Sequence, residues 1–230
     1  MIAQLPLSIQ LRDDATLANF FPGDNQEILQ AVAELSRGKG EPFVYLWGQI
    51  GAGCSHLLQA TCHEAYELGV SAVYIPLQQL HELDPSVLQG LEELSLICLD
   101  DIQAITGQAQ WEEALFHLFN RIRAQNKRLL MAASMPPSHL KLELADLKSR
   151  LSWGVVYQLH ELSDDQKLAA LQLRAKGRGL QLSDSVGQFL LSRCSRNMAE
   201  LFQVLDTLDR ASLAEQRRLT IPFVKHVLEI

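Results

Sequence analysis

Five short apolar runs alternate with helical segments through the first part of the chain. They occupy residues 43–47, 72–75, 96–99, 129–133 and 155–159. Because consecutive positions are apolar, and not only alternate ones, we predict strands that helices cover on both faces. Strands that alternate with helices favour a parallel sheet with right-handed crossovers. The pattern therefore predicts an α/β fold with a five-stranded parallel sheet.

Two of the intervening segments have helical periodicity, and we predict helices over residues 55–68 and 111–125. Beyond about residue 160 the pattern changes to helices alone. Ser163 and Gln166 have the spacing of a capping box, which marks the start of a helix. A looser capping box begins at Asn197 and marks the start of another helix. Apolar residues at helical spacing form two stripes: Leu115, Leu118, Phe119 and Ile122 in one, and Leu201, Leu205 and Leu208 in the other.

These changes of pattern divide the chain into three parts. We predict an N-terminal segment at residues 1–14, an α/β domain at 15–160 and a small all-helical lid domain at 161–230.

Composition and charge narrow the class of protein. The chain has 230 residues and a net charge of −7, with an isoelectric point near 5.5. It lacks the basic footprint of a protein that binds nucleic acid by itself, so a protein partner is the better first hypothesis. No apolar run approaches the ~18 residues that span a bilayer, and the N-terminus has no cationic start. We therefore expect a cytoplasmic protein without membrane contact. Its four cysteines have no C-x-x-C spacing, which argues against a zinc site.

The first candidate binding site is the segment of residues 48–56, which follows a predicted strand and precedes a predicted helix. The segment matches the phosphate-binding loop G-x-x-x-x-G-K-[ST], except that Cys54 stands where the lysine is required. Backbone N–H groups and the helix N-terminus can still hold phosphate. The candidate nucleotide-binding residues here are Gly48, Gly51, Ala52, Gly53, Cys54, Ser55 and His56. The alternative is a glycine-rich turn without a ligand.

An acidic pair, Asp100 and Asp101, ends the third predicted strand. Carboxylates beside a phosphate loop are placed to hold Mg²⁺, and the Ser55 hydroxyl can reach the same ion. We therefore predict a magnesium site on these three residues. The alternative is an ordinary acidic loop after a strand.

Three segments resemble the family of the bacterial replication initiator DnaA, whose ATPase module is of the AAA+ class: residues 21–25, 99–103 and 146–154. The printed sequence stops after the lid, so we expect no DNA-binding domain and only indirect contact with DNA. With the missing loop lysine and a different N-terminus, the combination resembles the Hda family of DnaA-related regulators.

The distinct N-terminus contains a peptide similar to those with which bacterial proteins dock on the replication sliding clamp, the β subunit of DNA polymerase III. Its candidate clamp-binding residues are Gln4, Leu5, Leu7 and Ile9. Pro6 biases Leu5 toward an extended conformation, which suits a peptide that enters a pocket. The alternatives are an extra edge strand or a disordered tail.

The resemblance implies a function and further site residues. The chain would bind ADP or another nucleoside diphosphate, dock on the clamp and stimulate ATP hydrolysis by DnaA, so that it inhibits a second round of initiation. Arg150 would be an arginine finger that acts in trans, where the alternative is a cation that complements its helix dipole. Ser134 would contact the terminal phosphate.

One lid position departs from the AAA+ pattern. Ala199 stands where such lids have a sensor arginine. Two alternatives stay open: Arg196 takes over the contact, or the contact is absent. With Cys54, this departure implies little or no ATPase activity of the chain itself. The competing hypotheses are an ATPase such as a helicase loader, and a nucleotide-free scaffold. Self-association is open, since AAA+ modules can stack.

Overall fold

The structure is a computed structural model, and it describes residues 15–230. The predicted clamp-binding residues Gln4, Leu5, Leu7 and Ile9 lie outside the described residues. The prediction about them, like the three domain boundaries, stays a prediction.

The five predicted strands form a single parallel sheet with the order β2-β3-β4-β1-β5. They are β1 (Phe43–Trp47), β2 (Ala72–Pro76), β3 (Leu96–Asp100), β4 (Arg128–Ala133) and β5 (Val155–Gln158). The predicted fold class, an α/β domain with a five-stranded parallel sheet followed by an all-helical lid, is confirmed. β1 lies between β4 and β5, so the loop after β1 emerges beside the carboxyl ends of these two strands, at the same edge of the sheet as the end of β3.

Within residues 15–230 the sheet is accompanied by α1 (Gln26–Ser36), α2 (Cys54–Glu67), α3 (Leu77–Leu80), α4 (Ala109–Ala124) and α5 (Ala145–Leu151). The two helices predicted for this part correspond to α2 and α4. The pattern of apolar residues does not predict α1, α3 or α5. The last two are short, and so they present few turns of periodicity from which a helix can be recognised.

Alternate residues of β1 enter two separate cores, as expected for a strand that is covered on both faces. Phe43 and Tyr45 pack with residues of α4 and α5, whereas Val44 and Leu46 pack with residues of α1 and α2. All four are buried. The helices thus form a layer on each side of the sheet, and the carboxyl ends of the strands are left open to a ligand.

The lid consists of α6 (Asp164–Gly177), α7 (Asp184–Arg193), α8 (Met198–Glu215) and α9 (Ile221–Leu228). The predicted capping box is present at the start of α6, and Asn197 caps α8. The predicted stripe Leu201, Leu205 and Leu208 is fully buried in the lid core. Within residues 15–230, no helix is long and apolar enough to cross a membrane.

Asn25 fixes the segment that leads into the lid. Its side-chain amide donates to the carbonyls of Pro22 and His160, each at 3.0 Å, and its oxygen accepts from His160 N–H at 2.8 Å. This buried side chain therefore ties the segment before α1 to the linker between β5 and α6.

Candidate functional site

The predicted phosphate loop connects β1 to α2, as a loop that binds phosphate requires. Gly53, the residue before α2, has φ +109°, a value that L side chains rarely adopt. A Cβ atom on Gly53 would lie 2.9 Å from a ring carbon of Phe20. Glycine is therefore needed both for the turn and for the close approach of the Phe20 ring.

The loop borders a cavity of about 400 Å³, which is in the size range of small-molecule sites. Most of the residues predicted to bind nucleotide or metal line it: Gly48, Gly51, Ala52, Gly53, Cys54, Ser55, His56, Asp100, Asp101 and Ser134. The fold thus brings together the ends of β1, β3 and β4. Arg196 does not line the cavity that the described residues form.

Cys54 begins α2 at the position of the missing lysine. Burial, together with the negative charge of Asp100, raises the pKa of the thiol to about 12. The side chain is therefore a neutral thiol at physiological pH and adds no positive charge to the loop.

Asp100 is at the acidic end of the cavity and is only 2% exposed. Its carboxylate accepts hydrogen bonds from Tyr74 Oη at 2.8 Å, from Asp101 N–H at 3.0 Å and from Ser55. Burial raises the pKa of Asp100, although the bonds from Ser55 and Tyr74 oppose the shift. The contact between Ser55 and Asp100 places two of the three predicted magnesium ligands side by side.

Oxygen ligands of this kind suit Mg²⁺, which is usually bound through one or two carboxylates and the phosphates of a ligand. Among residues 15–230, no group of three or more histidine, cysteine, aspartate or glutamate side chains could hold a metal ion. Two carboxylates and a hydroxyl fit a magnesium ion whose other ligands are water and phosphate oxygens.

Gln103 connects two predicted parts of the site, although the sequence alone assigns it no role. Its amide donates to Asp101 Oδ1 at 2.9 Å, and its oxygen accepts from Ser134 N–H at 3.1 Å. Gln103 therefore fixes the end of β4 against the acidic end of β3.

The N-terminal wall of the cavity was not predicted in detail. Asn19, Phe20 and Phe21 line it, and His56 joins this wall to α2. The His56 ring lies 3.0 Å from the Thr16 carbonyl, measured from Nε2, and 5.6 Å from the Phe20 ring between centroids. An apolar wall of this kind suits the base of a nucleotide.

The lid forms the opposite wall, with Ala170, Arg174, Met198, Ala199 and Phe202. Arg174 was not identified from the sequence, because an arginine inside a helix gives no motif.

Arg196, one of the two alternatives for the lid contact, lies elsewhere. It pairs with Asp164 at 3.4 Å, and its side chain is 70% exposed. The structure therefore does not bring Arg196 together with the other predicted nucleotide-binding residues.

Arg150 lies in the last turn of α5 and does not line the cavity of the described chain. Its guanidinium carbon is 6.0 Å from the centre of the Phe116 ring. Within residues 15–230 it forms no salt bridge. Nearby in the chain, Trp153 is 48% exposed, with Arg123 stacked 3.7 Å from its ring centre.

Two protein-family models match this chain, one over its α/β part and the other over its lid. A family model described as the bacterial DnaA ATPase domain matches residues 11–158. A second one, described as the lid domain of Hda, matches residues 164–228.

Solved structures give the same fold. Domain III of the Thermotoga maritima replication initiation protein DnaA has a TM-score of 0.83 and 21% identity, with 96% of this chain and 98% of that chain covered. AMPPCP-bound DnaA from Aquifex aeolicus has a TM-score of 0.73 and 24% identity, with 90% and 71% covered. The Thermotoga maritima RuvB Holliday junction branch migration motor has a TM-score of 0.65 and 16% identity, with 89% and 67% covered.

Proposed function

This chain belongs to the DnaA-related AAA+ family and has the lid of its Hda branch, and from that premise we propose that it restrains replication initiation by stimulating ATP hydrolysis on the initiator DnaA. The observation that supports this function is the position of Arg150. It lies outside the chain's own cavity and without an ion pair in the described chain, where a nucleotide held by another protein can reach it.

Arg150 acts as an arginine finger in this proposal. A guanidinium placed at the γ-phosphate of ATP stabilises the negative charge that develops in the transition state, an effect worth ~10³–10⁵ in rate. Trp153, exposed and three residues further along the chain, adds an aromatic contact of the kind enriched in protein interfaces. The product is DnaA bound to ADP, which inhibits a second initiation.

The chain's own cavity serves a different purpose. We infer that it holds ADP or another nucleoside diphosphate, with the loop N–H groups on the phosphates and with Ser55, Asp100 and Asp101 near Mg²⁺. The neutral thiol of Cys54 and the lack of a cation at Ala199 remove two charges that ATP hydrolysis normally needs. Little or no ATPase activity of the chain itself follows.

Gln4, Leu5, Leu7 and Ile9 dock the chain on the DNA polymerase III sliding clamp in this proposal. The clamp, loaded on DNA, then brings Arg150 and DnaA together, so that contact with DNA is indirect. This step would restrict the stimulation to DNA that has just been replicated.

A reconstituted DnaA ATPase assay with DNA-loaded clamp tests the proposal. Arg150→Ala should reduce the stimulation by ~10³-fold or more, whereas binding of nucleotide and clamp is retained. Lys148→Ala is the matched control, since it removes a positive charge from the same helix and should keep most of the stimulation. Wild-type stimulation by the Arg150→Ala variant would contradict the finger assignment, as would an equal loss in both variants.

A further inference from the structure

The side chains at the loop and at the acidic end of the cavity carry negative charge and no positive charge, which disfavours a bound phosphate. Asp100 and Asp101 line one end of the cavity, and Cys54 stands where a phosphate-binding loop has its lysine. A nucleoside diphosphate adds further negative charge. Backbone N–H groups and Mg²⁺ offset part of this charge, but the loop has no cationic side chain for the phosphates.

Arg174 provides a positive charge from the opposite wall. Among the described residues that line the cavity it is the only arginine or lysine. It belongs to α6 and is only 5% exposed. Its guanidinium carbon lies 4.8 Å from the ring centre of Phe202, which lines the same cavity. A guanidinium that borders the cavity would attract an anion bound there.

The other lid positions offer no comparable group. Ala199 lines the cavity without a charge, and Arg196 is exposed and paired with Asp164. The N-terminus of α8, at Met198 and Ala199, also borders the cavity. Its positive end would favour an anion at the same place.

We propose that Arg174 binds the phosphates of a nucleoside diphosphate from the lid side, in place of the cations that positions 54 and 199 lack. The inference rests on the nucleotide-binding part of the proposed function. A guanidinium has a planar set of N–H donors that matches phosphate oxygens, and its charge-assisted bonds are strong in a buried site. Phosphate held between the loop and α6 links the lid to the α/β domain, so nucleotide binding stabilises one lid position.

Packing is the competing explanation for Arg174. Its stacking on Phe202 could stabilise the lid without any contact to a ligand. The two roles differ in one measurable way. A phosphate contact affects ligands according to how many phosphates they have, whereas a packing role affects all ligands of the cavity alike.

Isothermal titration calorimetry separates these roles. Thermal shifts with ADP, CDP, GDP and UDP first identify the diphosphate that wild-type protein binds best. That compound, its monophosphate and its nucleoside are then titrated into wild type and Arg174→Gln. The diphosphate should bind ~10- to 100-fold more weakly to the variant, as expected for the loss of a hydrogen bond to a charged group. The nucleoside should bind equally well to both.

Two lid variants are matched controls. Arg178→Gln removes an arginine that pairs with Asp206 and Asp209 in the same lid, and Arg196→Gln tests the alternative assignment. Both should leave diphosphate affinity within about threefold of wild type, a difference below ~1 kcal/mol. Arg174→Lys should show an intermediate loss, because it keeps the charge without the planar donors.

Three outcomes would overturn the inference. Equal losses for diphosphate and nucleoside in Arg174→Gln would assign the residue to packing. A selective loss in Arg196→Gln, with Arg174→Gln unchanged, would assign the contact to Arg196. Wild-type protein that binds none of the four diphosphates would contradict the nucleotide-binding part of the proposed function as well, whereas the first two results would leave it intact.

Discussion

Asp100 is the residue at which stability and the proposed chemistry conflict. Its side chain is almost fully buried, and burial raises its pKa. An ionised carboxylate in this position destabilises the folded protein, and perturbed groups of this kind cluster at functional sites. Binding of a cation would account for this position, since Mg²⁺ would offset the free-energy cost of burying the charged carboxylate.

Asp100→Asn should therefore stabilise the ligand-free protein at neutral pH, with a melting temperature higher by ~2–4 °C for about 1 kcal/mol in a chain of this size. A carboxyl whose pKa is raised by folding favours the folded state when protonated. This contribution is present below the unfolded pKa of about 3.9 and is lost as pH rises through the folded value. The advantage of the variant should therefore shrink toward acid pH, which thermal unfolding at several pH values measures.

Asp101→Asn is the matched control for this substitution. Asp101 is less buried and accepts a bond from Gln103, so its replacement should not raise the melting temperature. In the presence of a nucleoside diphosphate, Asp100→Asn should also lose the additional stabilisation by Mg²⁺. An Asp100→Asn variant that is less stable than wild type at neutral pH would show that the carboxylate is needed for packing.

At the scale of elements, α5 presents Arg150 and is anchored by a buried carboxylate. Glu112 in α4 is fully buried and accepts three backbone N–H bonds. The donors are Gly107 at 2.8 Å, Glu143 at 2.9 Å and Leu144 at 2.8 Å. Leu144 is the residue before α5, so Glu112 fixes where this short helix begins. A seven-residue helix has little stability of its own and depends on such contacts.

Glu112→Gln should loosen α5, because an amide has one acceptor oxygen and cannot satisfy all three donors. We expect the free energy of unfolding to fall by ~1–3 kcal/mol, the usual effect of leaving a buried polar group unsatisfied. Faster amide hydrogen exchange should occur at residues 145–151. Urea unfolding and hydrogen exchange monitored by mass spectrometry measure the two effects.

Glu113→Gln tests whether the effect belongs to the buried position. This neighbouring side chain is 71% exposed and contacts His117 across one turn. Its replacement should change the free energy of unfolding by less than ~0.5 kcal/mol. If both variants exchange residues 145–151 at the wild-type rate, the anchoring role of Glu112 is wrong.

At the scale of the whole molecule, three different parts of the chain would make three different contacts. The N-terminal segment would bind the clamp, the cavity would hold a nucleotide and α5 would face DnaA. An acidic chain with a net charge of −7 agrees with recruitment through proteins, since direct binding to DNA needs clustered positive charge.

Deletion of residues 1–9 should abolish binding to the sliding clamp and leave nucleotide binding unchanged. Surface plasmon resonance with immobilised clamp measures the first effect, and calorimetry the second. Ser8→Ala is the matched control, because Ser8 occupies an unspecified position x in the docking-peptide pattern Gln-Leu-x-Leu-x-apolar, which residues 4–9 resemble. Unchanged clamp binding by the truncated protein would contradict the assignment of the clamp-binding residues to the N-terminal segment.

The main elements of the fold were predictable because each one has a strong local pattern. The strand predictions agree with the structure to within one residue at each end, since runs such as that of β1 are apolar at every position. The helices α2 and α4 were equally clear. By contrast, α5 is too short for a periodicity, and its start is held by Glu112, which is distant in sequence.

The glycine loop, the acidic pair and the absence of the loop lysine can be recognised from the sequence alone, because each depends on residues that are adjacent in the chain. The sequence also carried the resemblance that pointed to Arg150 and to the N-terminal peptide. Which distant residues share the cavity depends on the three-dimensional packing of the helices. Packing of α6 and α8 brings Arg174 to the cavity and leaves Arg196 outside it. Local patterns do not encode such contacts, because they depend on how whole helices pack against one another.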